Sequence, residues 1–180
     1  MVYMYVRPSA QLRFVDCVAA GASVPGVVGI FEVGGETVHV AAVHLVNKED
    51  AASRRAKQLQ AVLAACGHDW PTLVVMGDLN AQKGEEGYLY ENLLLRDAWY
   101  DGLSWNLGVN RFYKSDGGMI PLGQRFDRYL FRGAAAVSAC VVGQCRMFRD
   151  GHEFFLSDHF PVLGVLDVHA SYRGLAGQGV

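Results

Sequence analysis

The stretch of sequence that decides the fold runs TLVVMGDLN, residues 72–80. It follows Pro71, and its run of β-branched and other apolar residues is typical of a short strand that is covered on both faces. Gly77 permits a sharp turn or a close backbone approach at the end of that strand. Asp78 and Asn80 then follow at the carboxyl end, where open α/β folds usually place their chemistry. An ordinary turn is the alternative interpretation, because Gly, Asp and Asn are all common turn residues.

The patterns on either side of this stretch predict a layered α/β domain. Apolar strand patterns cover residues 26–33 and 37–45, and the Gly-Gly pair between them predicts a hairpin. Apolar residues recur at three- and four-residue steps through residues 52–66, which predicts an amphipathic helix. Arg55 falls off that apolar stripe, and such a charge usually lies on a solvated surface. The remaining predicted elements are a short helix at residues 88–95, a long loop at 104–123 and strands at 125–131, 137–142 and 161–168.

The bulk composition restricts the class of protein. The 180 residues are 51% hydrophobic and 19% charged, which predicts one globular domain. No apolar run is long enough to span a bilayer, and the N-terminal residues lack a signal-peptide pattern. The net charge of −2 gives no global basic field, so any contact with DNA must come from local patches. The four cysteines lack zinc-site spacing and are expected to be reduced, which predicts an intracellular protein of the nucleus or cytoplasm that is not secreted.

Further polar groups stand at strand ends or inside apolar strands. His44 ends a predicted strand, where a solvated or packed side chain is as good an interpretation as a functional one. Asp127 lies within an apolar strand, and a buried carboxylate without a partner is costly. A histidine is one candidate partner for Asp127, and an ion pair with Arg125 or Arg128 is the other. A Ser-Asp-His sequence at residues 157–159 precedes the last predicted strand.

Taken in order, these motifs resemble those of the endonuclease/exonuclease/phosphatase superfamily. Its members include DNase I, abasic-site endonucleases, sphingomyelinases, deadenylases and inositol polyphosphate 5-phosphatases. Within the superfamily, the resemblance is strongest to the tyrosyl-DNA phosphodiesterase 2 branch, through Trp105 and the sequences RFDR at residues 125–128 and SDHF at 157–160. The resemblance implies an α/β (α+β) four-layer sandwich, in which two β-sheets lie face to face with helices outside. The motifs that carry it are His44-Leu45, Arg55-x-x-Gln58-Leu59, Gly77-Asp78-Leu79-Asn80, Arg125-Phe126-Asp127 and Ser157-Asp158-His159.

The resemblance also implies an activity, the hydrolysis of a phosphoester, with a role for each catalytic candidate. By it, Asp78 orients or deprotonates the attacking water, and Asn80 helps to hold that water and the phosphate. His159 donates a hydrogen bond to a phosphoryl oxygen, and Asp127 fixes the tautomer of His159. His44 approaches the phosphate. These residue types suit the chemistry, because catalysis of phosphoryl transfer is mostly positioning and electrostatic stabilisation.

The cofactor and the substrate follow from the same resemblance. Mg²⁺, with Mn²⁺ as a substitute, is expected at Asp158 and Asp78, and hard cations do prefer carboxylate and amide oxygens. The expected substrate is a phosphoester at a DNA 5′ end, which points to DNA repair and involves no membrane. Trp105 and Arg125 are expected to contact that substrate. For Trp105, stacking on a base or phenol and ordinary local packing both remain open.

The sequence departs from the family pattern in its first part. The family carries an Asn at the end of its first strand and a Glu in an early Gln-Glu pair. Neither motif precedes His44, and Glu32, which stands before a Gly-Gly turn, matches neither. We therefore expect the C-terminal part of an N-terminally truncated domain at residues 26–169, a poorly defined segment at 1–25 and a tail at 170–180.

The missing motifs also affect the expected activity. We expect residues 1–180 by themselves to be essentially inactive and poorly stable, because a sheet edge and a sheet face would lack cover. The alternatives to a DNA phosphodiesterase are a phosphatase or sphingomyelinase-like esterase of the same superfamily and a binding protein without catalytic activity.

Overall fold

The structure, a computed structural model, describes residues 2, 4–5, 11–48, 51–67, 72–98, 101–106, 108–110 and 123–168. The predicted tail at residues 170–180 lies outside these residues, as does most of the predicted loop at 104–123. Within them the strands are β1 (Leu12–Ala19), β2 (Gly26–Val33), β3 (Glu36–His44), β4 (Thr72–Asp78), β5 (Arg96–Asp97), β6 (Asp127–Arg132), β7 (Ala135–Val141), β8 (Met147–Arg149), β9 (His152–Phe154) and β10 (Val162–Asp167). The helical elements are α1 (Ala52–Ala65), α2 (Glu86–Leu89) and a 3-10 turn (Glu91–Leu93).

Six strands form the main sheet in the spatial order β1-β2-β3-β4-β6-β5. β2 and β3 form the predicted hairpin, and β3 and β4 run parallel with α1 between them. Parallel neighbouring strands require such a crossover, because the chain must return to the starting end of the sheet before the next strand can run in the same direction. The bounds of β2 and the positions of β3, α1 and β4 confirm the predicted elements.

The main core lies between α1 and one face of the main sheet. Leu59 and Val62 of α1 are fully buried there, together with Val43, Leu73 and Val75 of the central strands. Burial of each such side chain contributes about 1.5–3 kcal/mol. This core fixes the helix over β3 and β4 and leaves the ends of those strands open at one edge.

A smaller sheet of β7 and β10 packs on the opposite face of the main sheet. The two sheets approach each other closely at Gly164, where an added Cβ would lie 3.0 Å from the Tyr129 ring. The Tyr129 hydroxyl donates a hydrogen bond to the carbonyl of Val162 at 3.1 Å. The arrangement of two facing sheets with helices outside confirms the predicted α/β sandwich of the DNase I-like fold. In the described part of the chain, α1 and α2 contact each other and lie on the same side of the main sheet, so only one helical layer is seen.

Four short or exposed elements have no counterpart in the sequence prediction. β1 lies within residues 1–25 and is the edge strand of the main sheet. Seven of its eight residues are exposed, so it lacks the apolar alternation by which a strand is recognised. β5, β8 and β9 have only two or three residues, too few to show a period. The predicted helix at residues 88–95 is instead the short α2 followed by the 3-10 turn. No described helix is long and apolar enough to cross a membrane.

Candidate active site

Three polar side chains lie in one row across the main sheet. The parallel ladder places His44 of β3 beside Asp78 of β4, and the antiparallel ladder places Asp127 of β6 on the other side of Asp78. Residues paired across neighbouring strands point to the same face of a sheet. The register of three strands therefore brings together residues that are far apart in the sequence.

Gly77 determines how closely β4 approaches β3 just before this row. Its φ angle is 124°, and an added Cβ would lie 2.2 Å from the carbonyl oxygen of Val43. No side chain fits at that distance, so this position requires glycine. The backbone oxygen of the next residue, Asp78, accepts a hydrogen bond from the Leu45 N–H at 2.9 Å. This bond continues the pairing past the end of β3.

Asn80 fixes the carboxylate of Asp78. Its backbone N–H donates to Asp78 Oδ1 at 2.9 Å, and its side-chain Nδ2 donates to Asp78 Oδ2 at 3.1 Å. The same Nδ2 donates to the carbonyl of Leu45 at 3.0 Å. Asn80 is buried and has a positive φ of 49°, a conformation that asparagine tolerates better than most residues. His44 Nε2 lies 3.4 Å from Asp78 Oδ2 on the solvent side.

His159 faces this row from the loop that precedes β10. Its Nδ1 lies 2.7 Å from Asp127 Oδ2, and the opposite nitrogen, Nε2, lies 3.9 Å from Asp78 Oδ2 and 3.9 Å from Asp158 Oδ2. The backbone N–H of His159 donates to the Ser157 hydroxyl at 3.1 Å. The Asp127 contact orients the ring, so that Nε2 points to the space beside Asp78 and Asp158.

Burial and neighbouring charges shift the pKa values of two groups in the site. Burial raises the pKa of Asp78 and the Asp127 charge raises it further, while the Asn80 N–H and the two histidines oppose this rise. For His159, burial lowers the pKa, but the Asp127 hydrogen bond and the nearby carboxylate charges raise it more, so that the net shift is upward. The site therefore contains two neighbouring groups with raised pKa values. The Asp78 carboxyl holds a proton more readily than usual, and the His159 ring remains cationic more readily than usual.

Two buried polar residues that the sequence analysis did not single out hold the strands of the site. Ser104 is fully buried, and its hydroxyl accepts a hydrogen bond from the Asp127 N–H at 3.0 Å. Its carbonyl accepts the Phe160 N–H at 2.6 Å. Asn110 is also fully buried, and its Nδ2 donates to the carbonyl of Ser157 at 2.7 Å. Both lie in a loop without periodicity, so only their burial in the fold identifies them.

Arg55 is fully buried, contrary to the solvated position predicted for it. Its Nε donates to Glu85 Oε2 at 3.0 Å, and its Nη2 contacts the other carboxylate oxygen. Its Nη1 donates to the carbonyls of Val46 and Lys48 at 3.1 and 2.6 Å. One turn further along the helix, Gln58 accepts the Val46 N–H at 2.9 Å. This cluster, the Arg55 clamp, joins the loop after His44 to the loop after Asn80.

Arg125, for which contact with a substrate is predicted, is buried and pairs with Asp97. Its guanidinium is 8% exposed and binds both oxygens of Asp97 at 2.8 Å. Arg128 donates to the same carboxylate at 3.1 Å, and the Tyr90 hydroxyl does so at 3.2 Å. Asp97 therefore binds both arginines, which lie 28 and 31 residues away along the chain, and this pairing is not among the predicted ones.

Trp105 lies beside His159, and its predicted contact with the substrate stays a prediction. Its backbone forms isolated bridges with Gln124 and His159. Its ring packs on Phe126 at a centroid distance of 5.6 Å, and the Phe126 ring lies 6.3 Å from that of His159. The local packing and the predicted stacking role are therefore compatible, because one face of an aromatic cluster borders the site.

Asp78 and Asp158 are the predicted metal ligands, and both lie beside His159 Nε2. Within the residues that the structure describes, no group of three His, Cys, Asp or Glu side chains is arranged to hold a metal ion. Mg²⁺ is often bound through only one or two carboxylates, with water and substrate phosphate as its other ligands. Asp78 and Asp158 alone offer too few anionic oxygens to hold Mg²⁺ or Mn²⁺ out of its hydration shell, so phosphoryl oxygens and water would have to complete the coordination.

Comparisons with known proteins support the fold. No protein-family model matches the chain, and no curated protein matches its sequence. The crystal structure of D. rerio TDP2 complexed with single-strand DNA product matches with a TM-score of 0.64 and 16% identity, over 88% of this chain and 69% of that one. S. aureus beta toxin matches with a TM-score of 0.61 and 22% identity, over 79% and 57%.

A third structure is the B. thetaiotaomicron mannosyl-6-phosphatase Bt3783, with a TM-score of 0.60 and 14% identity over 87% of this chain and 67% of that one. The chain thus spans roughly six- to seven-tenths of the length of these three structures. At these identities the likeness shows the fold alone, the DNase I-like sandwich.

Proposed function

We propose that this protein is a metal-dependent phosphodiesterase whose reaction takes place at His159 Nε2, between the carboxylates of Asp78 and Asp158. One observation carries the proposal: a histidine that contacts Asp127 through Nδ1 turns its free nitrogen toward two further carboxylates at the end of a sheet. An imidazolium held in that way is suited to neutralise the charge on a phosphoryl oxygen. The phosphoesterase fold of the structural neighbours agrees with this chemistry.

His159 acts as the donor to the phosphoryl group in this proposal. Nε2–H donates to a non-bridging oxygen, where negative charge is concentrated as the phosphoester bond breaks. Asp127 holds the proton on Nδ1 and supports the positive charge of the ring, since its carboxylate lies 2.7 Å from that nitrogen. The upward shift of the His159 pKa keeps the donor protonated to higher pH than an ordinary histidine.

Asp78 acts on the attacking water. Its carboxylate is held by two hydrogen bonds from Asn80, which leave it directed toward the space beside His159. Burial raises its pKa, and a more basic carboxylate accepts a proton from water more readily. His44, 3.4 Å from Asp78 Oδ2, forms the solvent-side wall of that space.

Asp78 and Asp158 would hold the metal ion, as their common position beside Nε2 suggests. A Mg²⁺ ion held there would supply Lewis-acid stabilisation of the charge on the phosphoryl oxygens. The finer assignment that we propose is a DNA end as substrate, processed inside the cell. The D. rerio TDP2 structure contains a single-strand DNA product, and the Trp105–Phe126 pair offers this chain an aromatic surface for an unstacked base. Four free cysteines agree with a reducing compartment.

The experiment is a phosphodiesterase assay on bis(p-nitrophenyl) phosphate and on a 5′-tyrosyl oligonucleotide. In a chain completed with the upstream Asn and Glu motifs of the family, we expect activity with Mg²⁺ and none in excess chelator, whereas residues 1–180 by themselves should be essentially inactive. His159→Gln should lower kcat at least about 10²–10³-fold, the usual loss of one donor to a developing charge. His152→Gln, at an exposed position in β9, is the matched control and should retain wild-type activity. Full activity in chelator, or in Asp78→Asn, would contradict the mechanism.

A phosphomonoesterase is the second candidate, because the mannosyl-6-phosphatase has the same fold. The same preparation assayed on p-nitrophenyl phosphate separates the two, since a monoesterase would prefer that substrate to the diester. A protein that binds the tyrosyl oligonucleotide and hydrolyses none of these esters would instead be a binding protein of this fold.

A further inference from the structure

The outer edge of β1 is an exposed edge of the main sheet. Among the described strands, only β2 pairs with β1. Seven of the eight residues of β1 are exposed, and they include Phe14 and Val15, which are 54% and 49% exposed. The edge of a sheet presents a row of unpaired N–H and C=O groups, to which a further strand can be added. None of the candidate active-site residues lies on this strand.

A β-bulge decides which side chains of β1 share a face. The register with β2 shifts between Phe14 and Asp16, where β1 has one extra residue. Arg13 pairs with Glu32 and Asp16 pairs with Ile30, and these two partners point to the same face because they are two positions apart. Arg13 and Asp16 therefore also share that face, whereas in a regular strand residues three positions apart would point to opposite faces.

These two charges make the edge complementary to a second copy of itself. Both side chains are exposed, and the Arg13 guanidinium contacts the Glu32 carboxylate on the neighbouring strand. Asp16 Oδ1 accepts the N–H of Cys17 at 2.7 Å, which holds the carboxylate against the strand. When the strand is laid antiparallel to a copy of itself, the cation of each copy can face the anion of the other. A parallel pair in register would instead place like charges opposite each other, which is unfavourable.

We propose that a second copy of this chain pairs antiparallel with the outer edge of β1, so that the two main sheets continue into each other across a twofold axis. The axis passes between Phe14 and Val15, which sets Arg13 of each copy opposite Asp16 of the other. The same register places Phe14 of each copy opposite Val15 of the other and covers both exposed side chains. One strand pair is smaller than a standard protein–protein interface, so we expect a reversible dimer.

Sedimentation of the full chain over a range of concentrations tests the dimer. We expect a reversible equilibrium between monomer and dimer. Asp16→Arg should raise the dissociation constant at least about tenfold, because Arg13 would then face a cation at both ends of the strand pair. Asp101→Arg makes the same charge change at an exposed position outside β1, and as the matched control it should dimerise like the wild type. In a Glu32→Gln chain, where Arg13 has lost its partner on β2, the exchange Arg13→Asp/Asp16→Arg should restore the dimer.

Disulfide cross-linking tests the register of the pair. The proposed pairing sets position 12 opposite Cys17 of the second copy, whereas the two Cys17 residues would lie about 16 Å apart along the strands. In a Cys140→Ser/Cys145→Ser chain, Leu12→Cys should therefore give a covalent dimer on mild oxidation, since a disulfide needs Cα atoms within about 7 Å. Cys66 should not interfere, because it is buried and burial raises the pKa of its thiol to about 11. The matched control adds Cys17→Ser to the Leu12→Cys chain and should give no covalent dimer.

Several results would overturn this inference. A chain that stays monomeric at every concentration, or that forms aggregates of open-ended size, has no such dimer. A dimer that Asp16→Arg leaves intact would place the interface elsewhere. Equal cross-linking with and without Cys17 would refute the register, and the proposal with it. None of these results bears on the proposed phosphoester chemistry, because β1 carries no residue of the candidate active site.

Discussion

Replacement of Arg55 by methionine should destabilise the protein strongly, because the Arg55 clamp is buried. Methionine has a similar reach but no donors, so Arg55→Met removes the cation from the Glu85 carboxylate, whose side chain is only 13% exposed. It also removes the donor to the carbonyls of Val46 and Lys48. Loss of one partner from a buried ion pair costs about 3–5 kcal/mol, against a total stability of about 5–15 kcal/mol for an ordinary domain.

Thermal and urea unfolding measure this effect. For a domain of this size, about 3–5 kcal/mol corresponds to a fall in Tm of about 6–20 °C. Glu85→Gln in the Arg55→Met background should restore part of the loss, because it removes the uncompensated charge. Arg54→Met, on the exposed face of the same helix, is the control and should change stability by less than about 0.5 kcal/mol. A loss of under about 1 kcal/mol in Arg55→Met, the value of a surface ion pair, would refute the reasoning.

Two further predictions concern the pH dependence of the site and the backbone before it. The raised pKa of His159 implies that its contribution to stability is complete below the unfolded pKa of about 6.5 and is lost as pH rises through the higher folded value. Asp127→Asn should therefore shift the alkaline limb of the kcat profile to lower pH, and an NMR titration of the His159 ring should show the same direction; an unchanged limb would mean that Asp127 does not support the imidazolium. Gly77→Ala should lower the free energy of unfolding by more than backbone strain alone, which costs about 1–3 kcal/mol. The additional loss is expected because the new Cβ would meet the Val43 carbonyl. Gly35→Ala, also at positive φ but with open space around it, isolates the strain, and equal losses in urea unfolding would show that the contact does not matter.

The sequence by itself predicted the class of fold and the region of the site. The apolar run at residues 72–80 and the helical stripe at 52–66 are local patterns, and local patterns are sufficient to identify β4 and α1. The predicted pairing of Asp127 with His159 is present at 2.7 Å. The catalytic roles of these residues remain predictions, since pairing alone is not activity.

Only the tertiary structure decided which partners the remaining charged side chains bind. Arg55 is a charged residue off the apolar stripe of its helix, and no local rule predicts burial for it; it is buried because two loops from other parts of the chain cover it. Arg125 was expected at the substrate, but Asp97, 28 residues earlier, lies beside it and binds it. An apolar pocket beside His159 is likewise lined mostly by residues that flank β8 and β9, in segments without a period in the sequence. The physical reason is common to all three: the partner of a side chain depends on the register between distant strands and on what covers it, and neither is encoded in its neighbours along the chain.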